Sequence, residues 1–285
     1  MTLYHSAKYS PPGIQLFQPL DMAVWVLVLI FFCASAAIFS GDLTLSFLGA
    51  AGIIIVMFLI GAAVEVIIET IKDVKGLGTI VGFITNGPEA LCLIVGLVVG
   101  DVLFAASTPL GSNIMNPLLL FAAALITGKQ VQTFRTHPGY FVTCVLLTAG
   151  MAVSFFFLSE RVYLFWLAAA VLITSILFVK RPPEQGKNEQ QALYFSRMWF
   201  IPAFAVLVGA GYILDPVVSF AADHSHAPKG VIGFFVLATL TSWPEFKSTL
   251  ALLKRDAPLA AILNITVSNI TNIWLAVIGV SIHLL

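Results

Sequence analysis

The chain is a succession of long apolar runs separated by short polar segments. Nine of the runs are long enough to cross the roughly 30 Å hydrocarbon core of a bilayer as helices. Because a backbone in lipid must satisfy its own hydrogen bonds, such runs are expected to be helical. We place the helices near residues 22–40, 43–71, 78–100, 102–127, 138–158, 161–179, 198–220, 230–253 and 257–284.

The composition agrees with an all-α integral membrane protein. Hydrophobic residues make up 59% of the chain and charged residues 10%, against about 25% charged residues in soluble domains. The formal net charge is zero, so it indicates neither a nucleic acid nor an acidic partner. Cys33, Cys92 and Cys144 lie within apolar runs without a pairing or metal-binding pattern, and we interpret them as packing residues.

Basic residues are distributed unevenly over the predicted loops. With nine spans, eleven Lys and Arg residues fall on one side of the membrane, and only Arg161 and Lys229 on the other. Since cytoplasmic loops retain basic residues, we predict a cytoplasmic N-terminus and a C-terminus outside. The charge bias and the compact loops favour a prokaryotic inner membrane, with an organelle membrane as the alternative.

We divide the chain into two transmembrane halves. The predicted parts are a cytoplasmic N-terminal tail (1–21), an N-terminal transmembrane half (22–179), a charged cytoplasmic linker (180–197) and a C-terminal transmembrane half (198–285). The linker contains two adjacent prolines and is too short to fold by itself, so we expect a solvated connector rather than a regulatory domain.

A pair of short motifs occurs twice, with an offset of 156 residues and no gap. The first copy, within repeat 82–128, reads Thr85-Asn86-Gly87-Pro88-Glu89 and Ser112-Asn113-Ile114-Met115-Asn116; the second, within repeat 238–284, reads Thr241-Ser242-Trp243-Pro244-Glu245 and Ser268-Asn269-Ile270-Thr271-Asn272. Five predicted helices separate the starts of the third and eighth spans, so the copies are expected to run in opposite directions. Such inverted repeats are typical of secondary transporters, whose sites form near the midplane between broken helices.

Each copy places a glutamate within an apolar run. An ionised side chain is costly there and is usually retained for function. The preceding proline removes a backbone donor, which should leave the carbonyls of Ile84 and Leu240 free to act as ligands. One isolated copy would fit a neutral packing glutamate about as well, but the gap-free duplication favours a cation site.

The predicted ligands all offer oxygen atoms. Residues four positions apart, such as Thr85 and Glu89, share one helix face. The set consists of Glu89, Glu245, Thr85, Thr241, Ser112, Ser268, Asn116 and Asn272. Calcium accepts about six to eight oxygen ligands in flexible geometry, whereas magnesium gives up its water reluctantly. The set therefore suits calcium or a pair of sodium ions, and the lack of soft ligands argues against copper or thiolate-bound zinc.

The two motifs resemble those of the cation/calcium exchanger superfamily, in which each of two inverted repeats carries a Pro-Glu helix and a Gly-Ser-Asn-like helix. The similarity covers about 45 residues of each repeat. It implies that Glu89 and Glu245 are the central acids that bind calcium or sodium, with the other predicted ligands around them. It also implies exchange of calcium for sodium or protons by alternating access, with no cofactor beyond the transported ions.

The chain departs from the family pattern at several positions. Asn86 stands where sodium-coupled members commonly have serine and proton-coupled members asparagine, whereas Ser242 is of the sodium-coupled type. Both join the candidate cation-binding residues, and the coupling ion stays open. Asn272 stands where sodium-coupled relatives often have aspartate, and Val267 replaces a glycine.

Members of the superfamily typically have two further helices after the second motif, so the C-terminal half looks truncated. The extra first span, or another subunit in a homo-oligomer, is expected to fill part of that vacancy.

Lys247 lies two residues after Glu245, where a fixed positive charge opposes cation binding. Two positions turn a helix by about 200°, so its side chain should point away from the glutamate. Glu65 and Glu69, near the cytoplasmic end of the second span, are the predicted partners in a structural ion pair. Alternatively, Lys247 takes the place of a tethered cation and reduces sodium dependence.

The leading hypothesis is a secondary antiporter that exports calcium in exchange for sodium or protons. The alternatives are an antiporter for another cation, a channel, and a divergent sensor or assembly protein that does not transport. A membrane-embedded enzyme is disfavoured because the sequence has no His-Glu metal helix, serine nucleophile motif or nucleotide loop.

Overall fold

The computed structural model describes residues 19–99, 102–184, 195–227 and 242–285, and within these ranges the chain forms helices and no strands. The helices are α1 (Pro19–Ile38), α2 (Leu43–Ile71), α3 (Leu77–Ile84), α4 (Gly87–Val99), α5 (Val102–Ile126), α6 (Gln130–Arg135), α7 (Pro138–Phe155), α8 (Tyr163–Val179), α9 (Phe200–Ser225), α10 (Trp243–Lys254) and α11 (Pro258–His283). Single turns of 3-10 helix at Glu160–Val162 and Arg197–Trp199 precede α8 and α9.

Six of the described helices are long and apolar enough to cross a membrane: α1, α2, α5, α7, α9 and α11. Helix α8 is apolar but has only 17 residues. The third predicted span consists of two short helices, α3 and α4, and α10 is the described part of the eighth. The all-α membrane class is confirmed, whereas nine spans and an inverted repeat stay predictions.

The first motif interrupts its helix, as expected, but the interruption precedes the proline. Helix α3 ends at Ile84 and α4 begins at Gly87. Pro88 therefore lies in the first turn of a new helix, where its missing N–H has no intrahelical partner to lose. The start of α4 is seated on α9, since an ideal Cβ on Gly211 would lie 2.3 Å from Cγ of Pro88. Leu240, the corresponding position in the second copy, lies outside the described residues.

Helix α3 packs against α11 through a glycine face. An ideal Cβ on Gly78 would lie 2.2 Å from the Ala260 carbonyl oxygen, and one on Gly82 would lie 2.6 Å from the α11 backbone. One turn further, Asn86 donates to the carbonyl oxygen of Ser268 at 3.4 Å. The contacts advance along both helices in the same order, so α3 and α11 run parallel. Small residues permit this close approach between helices in lipid.

Helices α2 and α9 run antiparallel. An ideal Cβ on Gly41, just before α2, would lie 2.4 Å from the His224 carbonyl oxygen, while Gly49 meets Ala221 and Gly52 meets Val217. The positions on α9 thus descend as those on α2 rise. Side by side, these helices form the apolar core on which α1 and the start of α4 pack.

Five ion pairs among the described residues lie around the ends of α2, α5 and α10 and the start of α9. They join Lys72 to Glu69, Arg255 to both Glu65 and Glu69, Arg197 to Asp73, and Lys129 to Asp256. The corresponding loops all belong to the side of the membrane that the sequence predicts to be cytoplasmic. The ion pairs show that these segments lie together at one end of the molecule.

The start of the linker is docked onto α3. The Glu184 carboxylate accepts hydrogen bonds from the Gly78 N–H, with Oε1 at 2.9 Å and Oε2 at 3.0 Å from the nitrogen. A carboxylate at a helix N-terminus is favourable because the first N–H groups lack intrahelical acceptors. The sequence suggested a solvated connector, whereas this first part of the linker is held against the protein. Residues 185–194 lie outside the described ranges.

We expect Gly82→Ala to separate α3 from α11. The added methyl group would overlap the α11 backbone, and overpacking of this kind costs about 1–3 kcal/mol. The measurement is the thermal unfolding midpoint in detergent. Gly111→Ala is the matched control, because an ideal Cβ at Gly111 meets nothing within 4 Å. Equal unfolding midpoints for the two variants would contradict the proposed close contact.

We expect Glu184→Ala to destabilise the protein by about 0.5–2 kcal/mol, the usual range for a lost helix cap. Burial raises the pKa of the Glu184 carboxyl above its ordinary 4.5, and the hydrogen bonds from Gly78 and Thr79 offset this only in part. The folded state therefore holds the proton more tightly than the unfolded state. The contribution of Glu184 is greatest below pH 4.5 and declines as the pH rises through its folded pKa.

The pH prediction is checked by unfolding midpoints over a pH series. The difference between the native protein and Glu184→Ala should shrink as the pH rises. Glu184→Gln keeps an oxygen acceptor but cannot titrate, so this trend should disappear. A stability difference that grows with pH would show that the ionised carboxylate is the favoured form.

Candidate cation site

The structure describes nine of the ten predicted cation-binding residues, and all nine are buried. They are Thr85, Asn86, Glu89, Ser112, Asn116, Ser242, Glu245, Ser268 and Asn272. Thr241, the tenth, lies outside the described residues. The set is contributed by the junction between α3 and α4, and by α4, α5, α10 and α11, so two separate sequence motifs in each copy converge inside the molecule.

Two glutamates lie at the start of helices within this buried region. Glu89 is in the first turn of α4 and Glu245 in the first turn of α10, with exposures of 4% and 0%. The unsatisfied N–H groups of a first turn stabilise negative charge, which suits a carboxylate at both positions. A positive ion bound beside either carboxylate would offset the cost of burying its charge.

Several buried oxygens at the site have no hydrogen-bond partner among the described residues. They are Oε1 and Oε2 of Glu89, Oε2 of Glu245, Oγ of Ser242, and Oδ1 of Asn116 and Asn272. Buried polar groups are almost always satisfied in folded proteins. A group of oxygens that accept no hydrogen bond is a suitable environment for a hard cation that has shed part of its water. All five residues belong to the predicted set.

A reciprocal pair of asparagines joins α5 to α11. The side-chain nitrogen of Asn113 donates to the backbone carbonyl oxygen of Asn269 at 3.1 Å, and that of Asn269 donates to the backbone carbonyl oxygen of Asn113 at 3.2 Å. The two residues occupy the same position in the two copies, 156 residues apart. Neither was among the predicted site residues, although both lie inside the duplicated motif, which is the signal that could have found them.

Asn116 and Asn272 use their amide nitrogens to hold the two helices together. Asn116 donates to Oγ of Ser268 at 3.1 Å and to Oδ1 of Asn269 at 3.0 Å, while Asn272 donates to Oδ1 of Asn113 at 3.2 Å. The arrangement leaves the carbonyl oxygen of both Asn116 and Asn272 free to bind a cation.

The two copies differ around the glutamates. The Ser268 hydroxyl lies 3.2 Å from Oε1 of Glu245 and 3.3 Å from Oδ1 of Asn86. The Asn86 nitrogen donates to the carbonyl of Gly82 at 2.7 Å, so this amide is tied into its own helix and α11. At the equivalent position of the second copy, the Ser242 hydroxyl has no partner among the described residues. The site is therefore asymmetric despite its repeated sequence.

A polar cluster that sequence analysis missed supports Glu245. The Asn264 side-chain nitrogen lies 2.8 Å from Oγ of Ser248, 3.0 Å from Oγ1 of Thr249 and 3.3 Å from the Glu245 carbonyl oxygen. The cluster fastens α11 to α10 one turn beyond the glutamate. The corresponding residues of the first copy are Cys92, Leu93 and Thr108. Because the cluster is not duplicated, the repeat pattern gave no signal for it.

The predicted partners of Lys247 were wrong. Lys247 pairs with Asp21 of α1, and its Nζ lies 2.9 Å from both carboxylate oxygens. Glu65 and Glu69 instead lie 3.1 and 3.7 Å from the Arg255 guanidinium. The sequence showed only that the two glutamates share the predicted cytoplasmic end of a span, whereas Asp21 was assigned to the N-terminal tail and lies 226 residues from Lys247.

Comparison with known families supports the resemblance drawn from the motifs. Residues 195–284 match the family model described as sodium/calcium exchanger protein. The matched segment contains α9, α10 and α11, and with them the whole described part of the second copy. Neither a curated protein sequence nor a solved structure matches the chain. The family consists of transporters rather than enzymes, in agreement with the prediction that the chain is not an enzyme.

We expect Asn113→Ala and Asn269→Ala each to destabilise the protein by about 1–3 kcal/mol, because each removes the donor to a buried backbone carbonyl oxygen and the acceptor of a buried asparagine side chain. The measurement is the unfolding midpoint of each variant in detergent. The two side chains donate to each other's backbone carbonyl oxygens, which alanine retains, so each single variant loses a separate hydrogen bond. The double variant should therefore lose about the sum of the two single losses, and a loss close to that of one single variant would contradict two separate hydrogen bonds.

Proposed function

We propose that this chain, which matches the sodium/calcium exchanger family over residues 195–284, is a secondary active antiporter that exports calcium in exchange for sodium or protons. The family match supports exchanger-type transport, and the six long apolar helices support an integral membrane protein. The observation that carries the choice of a cation is the burial of Glu89 and Glu245, three of whose four carboxylate oxygens have no hydrogen-bond partner among the described residues.

Competition between ions follows from the charge of the site. One divalent cation, or two monovalent cations or protons, would neutralise both carboxylates. Occupancy by one kind of ion therefore weakens binding of the other, and alternating release on opposite sides of the membrane produces exchange. An exchange with unequal charges would also respond to the membrane potential, at about 2.3 kcal/mol per elementary charge per 100 mV.

The helix directions support the proposed inverted repeat. With nine spans, the third and ninth cross in the same direction, and α3 and α11 are parallel. The second and seventh cross in opposite directions, and α2 and α9 are antiparallel. The reciprocal hydrogen bonds of Asn113 and Asn269 fit a two-fold relation between the copies. We place the N-terminus in the cytoplasm of a prokaryotic cell and the C-terminus outside.

The proposal includes both sodium and protons as driving ions. Asn86 has its nitrogen bonded within the protein, whereas the Ser242 oxygen is available as a ligand. The two halves of the site thus offer different surroundings to the two glutamates. Two inequivalent glutamate environments suit an antiporter that binds one divalent ion in one state and sodium ions or protons in the other.

The proposal is tested by radiolabelled calcium uptake into proteoliposomes, with an outward sodium gradient and, separately, an outward proton gradient. We expect uptake under at least one gradient, and a loss of about tenfold or more in Glu89→Gln and in Glu245→Gln, because each variant removes one unit of buried charge. Asp223→Asn is the control, since this exposed acid near the end of α9 should leave uptake intact.

The possible outcomes separate the candidate functions. Uptake that follows one gradient and is lost in both glutamine variants supports the antiporter and identifies its coupling ion. Calcium flux that needs no opposing gradient indicates a channel. Gradient-driven uptake of a different cation identifies another substrate, and undiminished calcium uptake in both variants contradicts the assignment of the site.

A further inference from the structure

Helix α1 contributes a charged side chain beside the helix that carries Glu245. Asp21, in the first turn of α1, binds Lys247 through both carboxylate oxygens at 2.9 Å. The Lys247 and Asp21 side chains are only 6% and 4% exposed. The lysine passes over Gly61 of α2, where an ideal Cβ would lie 3.1 Å from its Cε. Residues of α1, α2 and α10 thus fix the position of the Lys247 ammonium group.

The charge of Lys247 can affect cation binding at Glu245 because the two residues lie close together on α10. Lys247 follows Glu245 by two residues on α10, and the field of a buried charge is poorly screened by salt. An unpaired ammonium here would repel any cation bound at Glu245. With Asp21 in contact, the pair has no net charge, and desolvation of each ion is offset by its partner.

The pair has no equivalent in the first copy. The residue 156 positions before Lys247 is Leu91, so α4 carries no basic residue that requires a partner there. The acid that compensates Lys247 comes from α1, which precedes both copies of the motif. Helix α1 otherwise packs against α2 and α9. Through Asp21, its first turn also contacts Lys247 on α10, the helix that carries Glu245.

We propose that Asp21 is a positioning residue of the cation site. It holds the Lys247 ammonium over Gly61 and cancels its charge, so that Glu245 retains its affinity for cations. This inference rests on the proposed function, which it extends to the role of α1. It also removes the main objection to transport raised by the sequence, namely an uncompensated positive charge beside the second glutamate.

The experiment compares Asp21→Asn, Lys247→Met and the double variant in proteoliposomes. Asp21→Asn leaves one uncompensated positive charge, so the calcium KM should rise by about tenfold. The repulsion of a monovalent ion is half as large, so its half-saturating concentration should rise only by about the square root of that factor, roughly threefold. The double variant removes both charges, and its calcium KM should return to within about twofold of the native value.

Lys247→Met removes the positive charge and keeps the Asp21 carboxylate, whose negative charge attracts cations. Its calcium KM should therefore be lower than that of the double variant, which lacks both groups. This comparison carries the test if Asp21→Asn fails to fold. Equal KM values for Lys247→Met and the double variant would overturn the proposal.

Asp73→Asn is the matched control. It removes a carboxylate from the ion pair with Arg197, in which the side chains are 32% and 66% exposed. Water and salt screen such a pair, so the calcium KM should not change. A merely structural role for Asp21 would lower kcat or the yield of folded protein, and would leave the KM for divalent and monovalent ions equally unaffected.

Calcium titration of the purified protein by calorimetry separates this inference from the proposed function. Native protein that binds calcium, with the predicted order of affinities among the variants, supports the role of Asp21 even if no gradient drives uptake. Transport that is lost in Glu245→Gln but has the same calcium KM in the native protein and Asp21→Asn overturns the role of Asp21 and leaves the antiporter intact.

Discussion

The structure depends on the burial of two carboxylates, Glu89 and Glu245, in a protein that offers them little water. Each lies in the first turn of a helix that begins inside the molecule, where unsatisfied N–H groups favour negative charge. This requirement explains why the first motif ends one helix at Ile84 and starts another at Gly87. A continuous helix would use those N–H groups internally and would leave the carboxylate without them.

The surrounding packing holds the acids in place without occupying all of their oxygens. Glycines on α3 bring that helix against α11, and the asparagines of α5 and α11 donate to each other across the interface. These contacts use mainly backbone atoms and amide nitrogens. The carbonyl and carboxylate oxygens are left for a ligand. Buried oxygens that accept no hydrogen bond are a suitable environment for a hard cation.

The two copies share most of the candidate ligands but differ in how these are supported. The second copy has the Asn264 cluster and the buried pair of Lys247 with Asp21, neither of which has an equivalent in the first. In the first copy, Glu184 of the linker caps α3. A transporter that changes conformation needs two arrangements of similar stability. In the proposed antiporter, unequal support of the two halves is one way for each half to respond differently to a bound ion.

The sequence by itself determined the helical membrane class, and it predicted an interrupted helix at the first motif and two glutamates inside the apolar part of the protein. Apolar length and a gap-free repeat are local or periodic signals, and they need no knowledge of packing. Only the tertiary structure decided that Lys247 pairs with Asp21 rather than Glu65, that Asn113 meets Asn269, and that Glu184 reaches Gly78. These partners are 226, 156 and 106 residues apart. Helical periodicity specifies which face a side chain occupies, but the partner it meets there depends on how separate helices pack.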